Sequence, residues 1–101
     1  MKLNVGVPKS MKVAAMVQPW EDPLLGDDVG NLMAQADALG FNKCMLGEHF
    51  IIPQEHVALS GDWYFHTVVA LGFIGGRTKN LRLSSSVSIL PLQNPIVQAK
   101  A

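Results

Sequence analysis

The 101-residue sequence predicts an α/β fold in which three parallel strands alternate with helices and a further helix begins near the end. Three observations carry this. Short apolar runs (Lys2–Pro8, Lys43–Gly47, Leu81–Leu90) alternate with longer stretches whose apolar residues recur at helical spacing. The helical stretches have their own punctuation: Asp27-Asp28 before the first, Gly40 after it, Gly75-Gly76 after the second, Asn94-Pro95 before the last. The middle run is nearly all apolar, as a strand covered on both faces must be.

Taken in order, Leu3, Val5 and Val7 alternate toward one face of a first strand that Pro8 stops. Met11 to Val17 is apolar enough for another strand or for the wall of a loop, and periodicity does not choose between them. Pro19 and Pro23 keep the following segment, around Trp20, out of any regular element. Asp27 and Asp28 can cap the first helix, because a carboxylate accepts bonds from the unpaired N–H groups of a first turn and suits the positive end of the dipole. Val29, Leu32, Met33, Ala36 and Leu39 then fall on one face. Gly40 supplies the left-handed stop, and Phe41 can fold back on the last turn. The second helix is expected over about Tyr64–Ile74. The third strand, Leu81–Leu90, has an unusual interior, Ser84-Ser85-Ser86. Asn94-Pro95 opens a last helix with a capping side chain and a proline at its first position.

Strand–helix–strand alternation of this kind implies βαβ units. A dinucleotide-binding half would carry Gly-x-Gly-x-x-Gly after its first strand, where this chain has Pro8-Lys9-Ser10. The expected architecture is therefore the N-terminal βαβαβ(α) portion of a (βα)8 TIM barrel, with its site at the carboxyl ends of the strands. Residues 1–101 are expected to form one partial domain of a longer protein, since Ile96 to Ala101 is too short a helix to cover the strands it should pack on.

Composition narrows the function classes. A hydrophobic share of 49% with 16% charged residues, and a mean hydropathy of +0.22, exclude a disordered tail. Eight Lys+Arg balance eight Asp+Glu, so the basic face of a nucleic-acid binder is missing. Cys44 is the single cysteine, which excludes a disulfide framework and suits a reducing compartment. No apolar run approaches the ~20 residues of a membrane span, and the N-terminal residues lack a signal peptide's apolar stretch. A soluble cytoplasmic chain is expected.

Chemistry-bearing residues gather where the strands end. His49, after Glu48, follows the second strand directly; in a βα barrel that position faces the mouth, and imidazole exchanges a proton near neutral pH. Packing at the rim with Glu48 as partner accounts for it equally. Glu55-His56 repeats the acid–histidine pair, so a metal held through His49 and His56 is a third reading, although the spacing matches no short ligand motif. His66 reads as a packing residue of the second helix and Cys44 as a small buried hydrophobe. Ser84, Ser85 and Ser86 admit two accounts: hydroxyls bonded to neighbouring backbone, or a wall of small side chains against a cofactor. Trp20 is the aromatic residue placed to line a mouth.

Four stretches taken together, Asp37–Asn42 (DALGFN), Met45–Phe50 (MLGEHF), Leu81–Pro95 (LRLSSSVSILPLQNP) and Val97–Ala101 (VQAKA), resemble the luciferase-like monooxygenase superfamily, most closely its deazaflavin-dependent branch. The likeness covers almost the whole chain. It implies an eight-stranded βα barrel that binds FMN or the deazaflavin coenzyme F-420 in its mouth, and a flavin- or deazaflavin-dependent oxidoreductase carrying out hydride transfer or monooxygenation on a small organic substrate. It also implies that Glu48 and His49 form an acid–histidine pair beside the reactive ring, with His49 as acid/base or substrate-orienting residue and Glu48 fixing its tautomer or polarising the surroundings of the ring. By the same likeness a cis peptide at Ser86-Val87 backs the ring, with Ser85, Ser86 and Val87 as cofactor contacts; Trp20, from its place in the loop after the first strand, is expected to join them. The complete protein is expected to be a homo-oligomer. The alternative expectation is a truncated, non-catalytic piece, because a (βα)8 barrel needs roughly 250 residues; on that view the isolated chain is unstable and inactive.

Overall fold

A computed structural model describes residues 1–101. Its frame is one parallel sheet of three short strands, β1 (Asn4–Gly6), β2 (Lys43–Leu46) and β3 (Arg82–Ser85), in the spatial order β1-β2-β3. The registers Val5↔Cys44↔Leu83 and Gly6↔Met45↔Ser84 set which residues share a face. Cys44 and Leu46 are fully buried and point toward the helices, so Met45, with its partners Gly6 and Ser84, lies on the opposite face.

The main helices are α1 (Gly26–Ala38) and α3 (Thr67–Gly75); two short ones, α2 (Val57–Ser60) and α4 (Pro95–Lys100), complete the set. Val29 and Met33 of α1 and Ile74 of α3 close over Val7, Cys44, Leu46 and Leu81 to make the core. The α1 face read from the sequence is the buried one, except that Leu39 lies beyond the helix end and is exposed. Its N-terminus differs in detail. The helix starts one residue earlier, at Gly26, and Asp28 turns back to accept the Leu25 N–H at 2.8 Å, while Asp27 reaches across to Arg77 after α3. Its C-terminus is as expected. Gly40 takes φ +82°, Gly40 N–H donates to Asp37 O and Phe41 N–H to Ala36 O (both 3.0 Å), and Phe41 packs against the core.

Three expected boundaries move. The strand expected over Lys2–Pro8 is regular only over Asn4–Gly6, with Val7 N–H still donating to Met45 O at 3.2 Å. The second main helix begins at Thr67, not Tyr64. Tyr64 forms an isolated antiparallel bridge with Met11, and Phe65 N–H donates to Ser10 O at 2.9 Å, so these amides are committed before a helix can use them. His66 consequently sits at the N-cap of α3, exposed and edge-on to Phe50, instead of being packed within the helix. The third strand ends at Ser85, not Leu90, because β2 offers no ladder past Leu46. Ser86 N–H makes the last sheet bond, to Leu46 O at 2.8 Å, and a 3-10 turn follows at Leu90–Leu92. Asn94 caps α4 as expected, accepting from the Ile96 and Val97 N–H groups at 2.9 and 3.4 Å.

Met11–Val17, left open by periodicity, is loop. The segment around Trp20, expected to be irregular, instead forms a 3-10 turn at Pro19–Glu21, which proline at its first position favours, and the whole stretch from Pro8 to Leu25 is tied by side chains. The buried Glu21 carboxylate accepts from Lys9 N–H (2.5 Å) and Gln18 N–H (2.9 Å), and the Lys9 ammonium donates to Asp22 O (2.6 Å) and Leu24 O. No helix is long and apolar enough to cross a membrane.

Candidate functional site

In a parallel sheet every strand delivers its carboxyl end to the same side, so the loops after β1, β2 and β3 must converge there. They meet at Gly47. A Cβ placed on this glycine would lie 3.6 Å from Met11 Cε, of the loop after β1, and 3.7 Å from Ser86 O, at the end of β3. On the remaining side the buried Thr67 hydroxyl donates to Gly47 O at 2.9 Å, which fastens the start of α3 to the end of β2. Glu48-His49 and Ser86-Val87 thus belong to one end of the sheet, and the Ser86-Val87 peptide is cis, where the resemblance places it.

Glu48 and His49 are neighbours that face different surroundings. His49 is exposed, and its ring lies 4.6 Å from that of Tyr64 at a tilt of 50°. Tyr64 is held in turn by its hydroxyl, which donates to Ser60 O at 2.9 Å, and by its bridge to Met11; burial pushes its phenol up from the ordinary value of 10.0. Glu48 is 4% exposed. Its Oε2 accepts from Ile89 N–H at 2.6 Å and from Gln93 Nε2 at 2.9 Å, while Oε1 is buried without a partner. The expectation that Glu48 orients the His49 tautomer is therefore corrected: its carboxylate bonds the segment after β3, not the imidazole.

The structure does not bring two of the expected cofactor contacts beside His49. Ser85 is the register partner of Leu46, whose side chain enters the core, so Ser85 belongs to the helix-facing side of the sheet. Period-two alternation gives the opposite face to Ser84. Trp20, 54% exposed, lines a groove of about 370 Å³ beside β1 with Val5, Gly6, Met11, Leu32 and Met45; His49, Ser86 and Val87 are not among its walls. Ser86 and Val87 are both exposed at the site end. The metal reading through His49 and His56 is corrected as well, since no three His, Cys, Asp or Glu side chains converge and His56 stands exposed in the turn before α2.

Sequence reasoning missed Thr67 and Gln93 as supports, and Tyr64 as the neighbour of His49. Nothing in a single sequence marks Gln93, forty-five positions from the carboxylate it meets. Thr67 had a faint signal, as a hydroxyl at the start of an otherwise apolar helix. Cys44 is buried as expected, and burial pushes its thiol up from 9.0.

A family model described as luciferase-like monooxygenase matches residues 11–101. Comparison with curated proteins gives no match, and neither does comparison with solved structures.

Proposed function

Given that the chain belongs to the luciferase-like monooxygenase family, we propose that it supplies the opening strands and part of the active-site rim of an oxidoreductase acting on a small organic substrate. The observation that carries this reading is the meeting of three post-strand loops at Gly47, with His49 and Ser86-Val87 exposed beside it. The residues present fit a flat ring. Gly47 has no side chain to project, Ser86 is small, and the Gly6–Met45–Ser84 row puts no branched side chain at the carboxyl end of the sheet face away from the helices. FMN or coenzyme F-420, when bound, supplies the redox chemistry, by oxygen activation or by hydride transfer respectively.

The chain's own residues do the rest. The Ser86-Val87 backbone and Gly47 would form the wall that holds the ring. His49 exchanges a proton with the substrate or orients it, and the Tyr64 ring limits the directions the imidazole can take. Thr67 holds the Gly47 carbonyl, and with it the strand end from which His49 projects.

Titrating FMN and F-420 into the full-length barrel protein that carries these strands tests the reading, because a bound flavin and a bound deazaflavin differ in absorbance. One of the two is expected to bind. His49→Ala should leave that binding within a few-fold and reduce turnover by about 10²–10⁴. Unchanged turnover would remove His49 from the reaction.

A second reading concerns the 101 residues by themselves, and surface area favours it. The chain exposes 6876 Å², against about 5,600 Å² for a compact protein of 10.9 kDa. Its radius of gyration is 14.0 Å, where about 12.7 Å is usual for this length. The exposed apolar residues include Leu83, Val87, Leu90, Leu92, Ile96 and Val97, all in β3, α4 and the segment between them. Covering by further barrel strands is what this surface suits. Alone, the chain is expected to self-associate without turnover; a monomer in sedimentation with a cooperative thermal transition would contradict this.

A further inference from the structure

A carboxylate is among the most costly side chains to bury, and the cost is ordinarily offset by a cation or a full set of donors. Glu48 has neither. The two ion pairs of the chain, Lys12–Asp62 and Arg77–Asp27, lie elsewhere, and Oε1 is buried without a donor. What Glu48 has is one oxygen, Oε2, shared by a backbone N–H and a side-chain amide from the same seven-residue stretch, 87 to 93. Gln93 extends the tie, since its Nε2 also lies 3.4 Å from Ser88 Oγ, and the 3-10 turn at Leu90–Leu92 is enclosed between the two anchor points. Charge-assisted bonds of this kind are short and stronger than neutral ones, and the Ile89 bond at 2.6 Å belongs to that class.

We propose that Glu48 is a positioning residue: its buried carboxylate clamps the Ile89–Gln93 segment across the end of β2 and so fixes the Ser86-Val87 wall relative to His49. The proposal rests on the function proposed above for that wall, and it separates the roles of two adjacent residues. His49 faces the mouth and exchanges protons; Glu48 faces inward and holds the opposite wall in place. Alternation along the chain makes the division possible, because successive side chains leaving β2 point to opposite sides. The same bonds run on to α4, since Gln93 directly precedes its cap Asn94. One carboxylate therefore ties the end of β2, the turn after β3 and the start of α4.

In the full-length protein, amide hydrogen exchange at Ile89 reads the clamp directly, with the α1 amides as the internal reference for global stability. Glu48→Ala should speed Ile89 exchange about tenfold or more relative to α1, the effect of losing a buried hydrogen bond to a charged group, and should weaken binding of FMN or F-420. Glu48→Gln keeps an acceptor for Ile89 N–H and should hold exchange and turnover near wild type. The exchanged pair Glu48→Gln with Gln93→Glu restores a carboxylate–amide contact and should do the same. Gln93→Ala, which removes one donor without leaving a cavity beside β2, should give an intermediate exchange rate and covers the case in which Glu48→Ala does not fold. Unchanged Ile89 exchange in both alanine variants would overturn the clamp. Loss of turnover in Glu48→Gln with Ile89 protection intact would overturn the positioning role, because the carboxylate would then act through its charge or proton. Should the wild-type protein bind neither cofactor, the proposed function falls, while the exchange rates still decide whether Glu48 is the clamp.

Discussion

Gly40 and Gly61 adopt nearly the same φ, +82° and +80°, yet alanine at the two positions should have very different consequences. At Gly40 an added Cβ meets nothing within 4 Å. The cost of Gly40→Ala is then the backbone term alone, about 1–2 kcal/mol for an L-residue held in the left-handed region. At Gly61 the added Cβ would lie 2.2 Å from Lys12 O and 2.4 Å from Lys12 C, both backbone atoms that cannot rotate away. Gly61→Ala carries a backbone term of roughly 1–3 kcal/mol, since φ +80° with ψ 176° is essentially a glycine conformation. Relieving the overlap adds about 1–3 kcal/mol more. The expected difference between the variants is about 2 kcal/mol, and it has a location. Lys12 adjoins Met11, whose bridge to Tyr64 holds the ring beside His49, so Gly61→Ala should also disturb the site. Urea unfolding of the full-length protein followed by tryptophan fluorescence measures the first effect, with Trp63 two residues from the change. The His49 ring signals in an NMR spectrum report the second. Equal destabilisation by the two alanines would show that the Gly61–Lys12 approach carries no energetic weight, and the packing reasoning would fail with it.

Two further outcomes follow from ionisable groups. Burial raises the Cys44 thiol above 9.0, so at neutral pH it stays protonated and inaccessible; a thiol-specific reagent should react only as the protein unfolds, and stoichiometric labelling under native conditions would refute its placement. Asp37 is shifted the other way. Its carboxylate accepts the N–H groups of Lys79 (2.6 Å) and Asn80 (3.1 Å), chiefly the former, and its pKa lies below 3.8. A depressed carboxyl stabilises the fold above its unfolded pKa and loses that contribution as pH falls through the folded value. Stability should therefore decline below about pH 4, and Asp37→Asn should both lower neutral-pH stability and flatten this acid limb in thermal melts. An unchanged acid limb in Asp37→Asn would assign the decline to other carboxylates.

Local structure was legible wherever neighbouring residues decide it. The apolar face of α1, the Gly40 stop with Phe41 folded over it, the Asn94 cap and the burial of Cys44 depend on spacing along a few turns, and spacing is what a sequence displays. Element ends were legible only within a few residues. Tyr64 and Phe65 are withheld from α3 by bonds to Met11 and Ser10, and β3 ends where β2 ceases to offer partners. The stretch from Pro8 to Leu25 was opaque because a buried glutamate and a lysine ammonium organise it, and neither bond has a periodic signature.

The same boundary divides the candidate site. Order along the chain determined the α/β class, the parallel sheet and the delivery of Glu48-His49 and Ser86-Val87 to one end of it, because strands running in the same direction bring their carboxyl ends to the same side. Which way each of those side chains turns was decided only by the tertiary structure. Register gave Ser85 to the helix side and Ser84 to the open face, the β1 groove took Trp20 away from His49, and the donors Ile89 and Gln93 drew Glu48 inward. The last of these depends on atoms more than forty positions apart coming within three ångströms of one another, and a linear pattern holds no record of such distances.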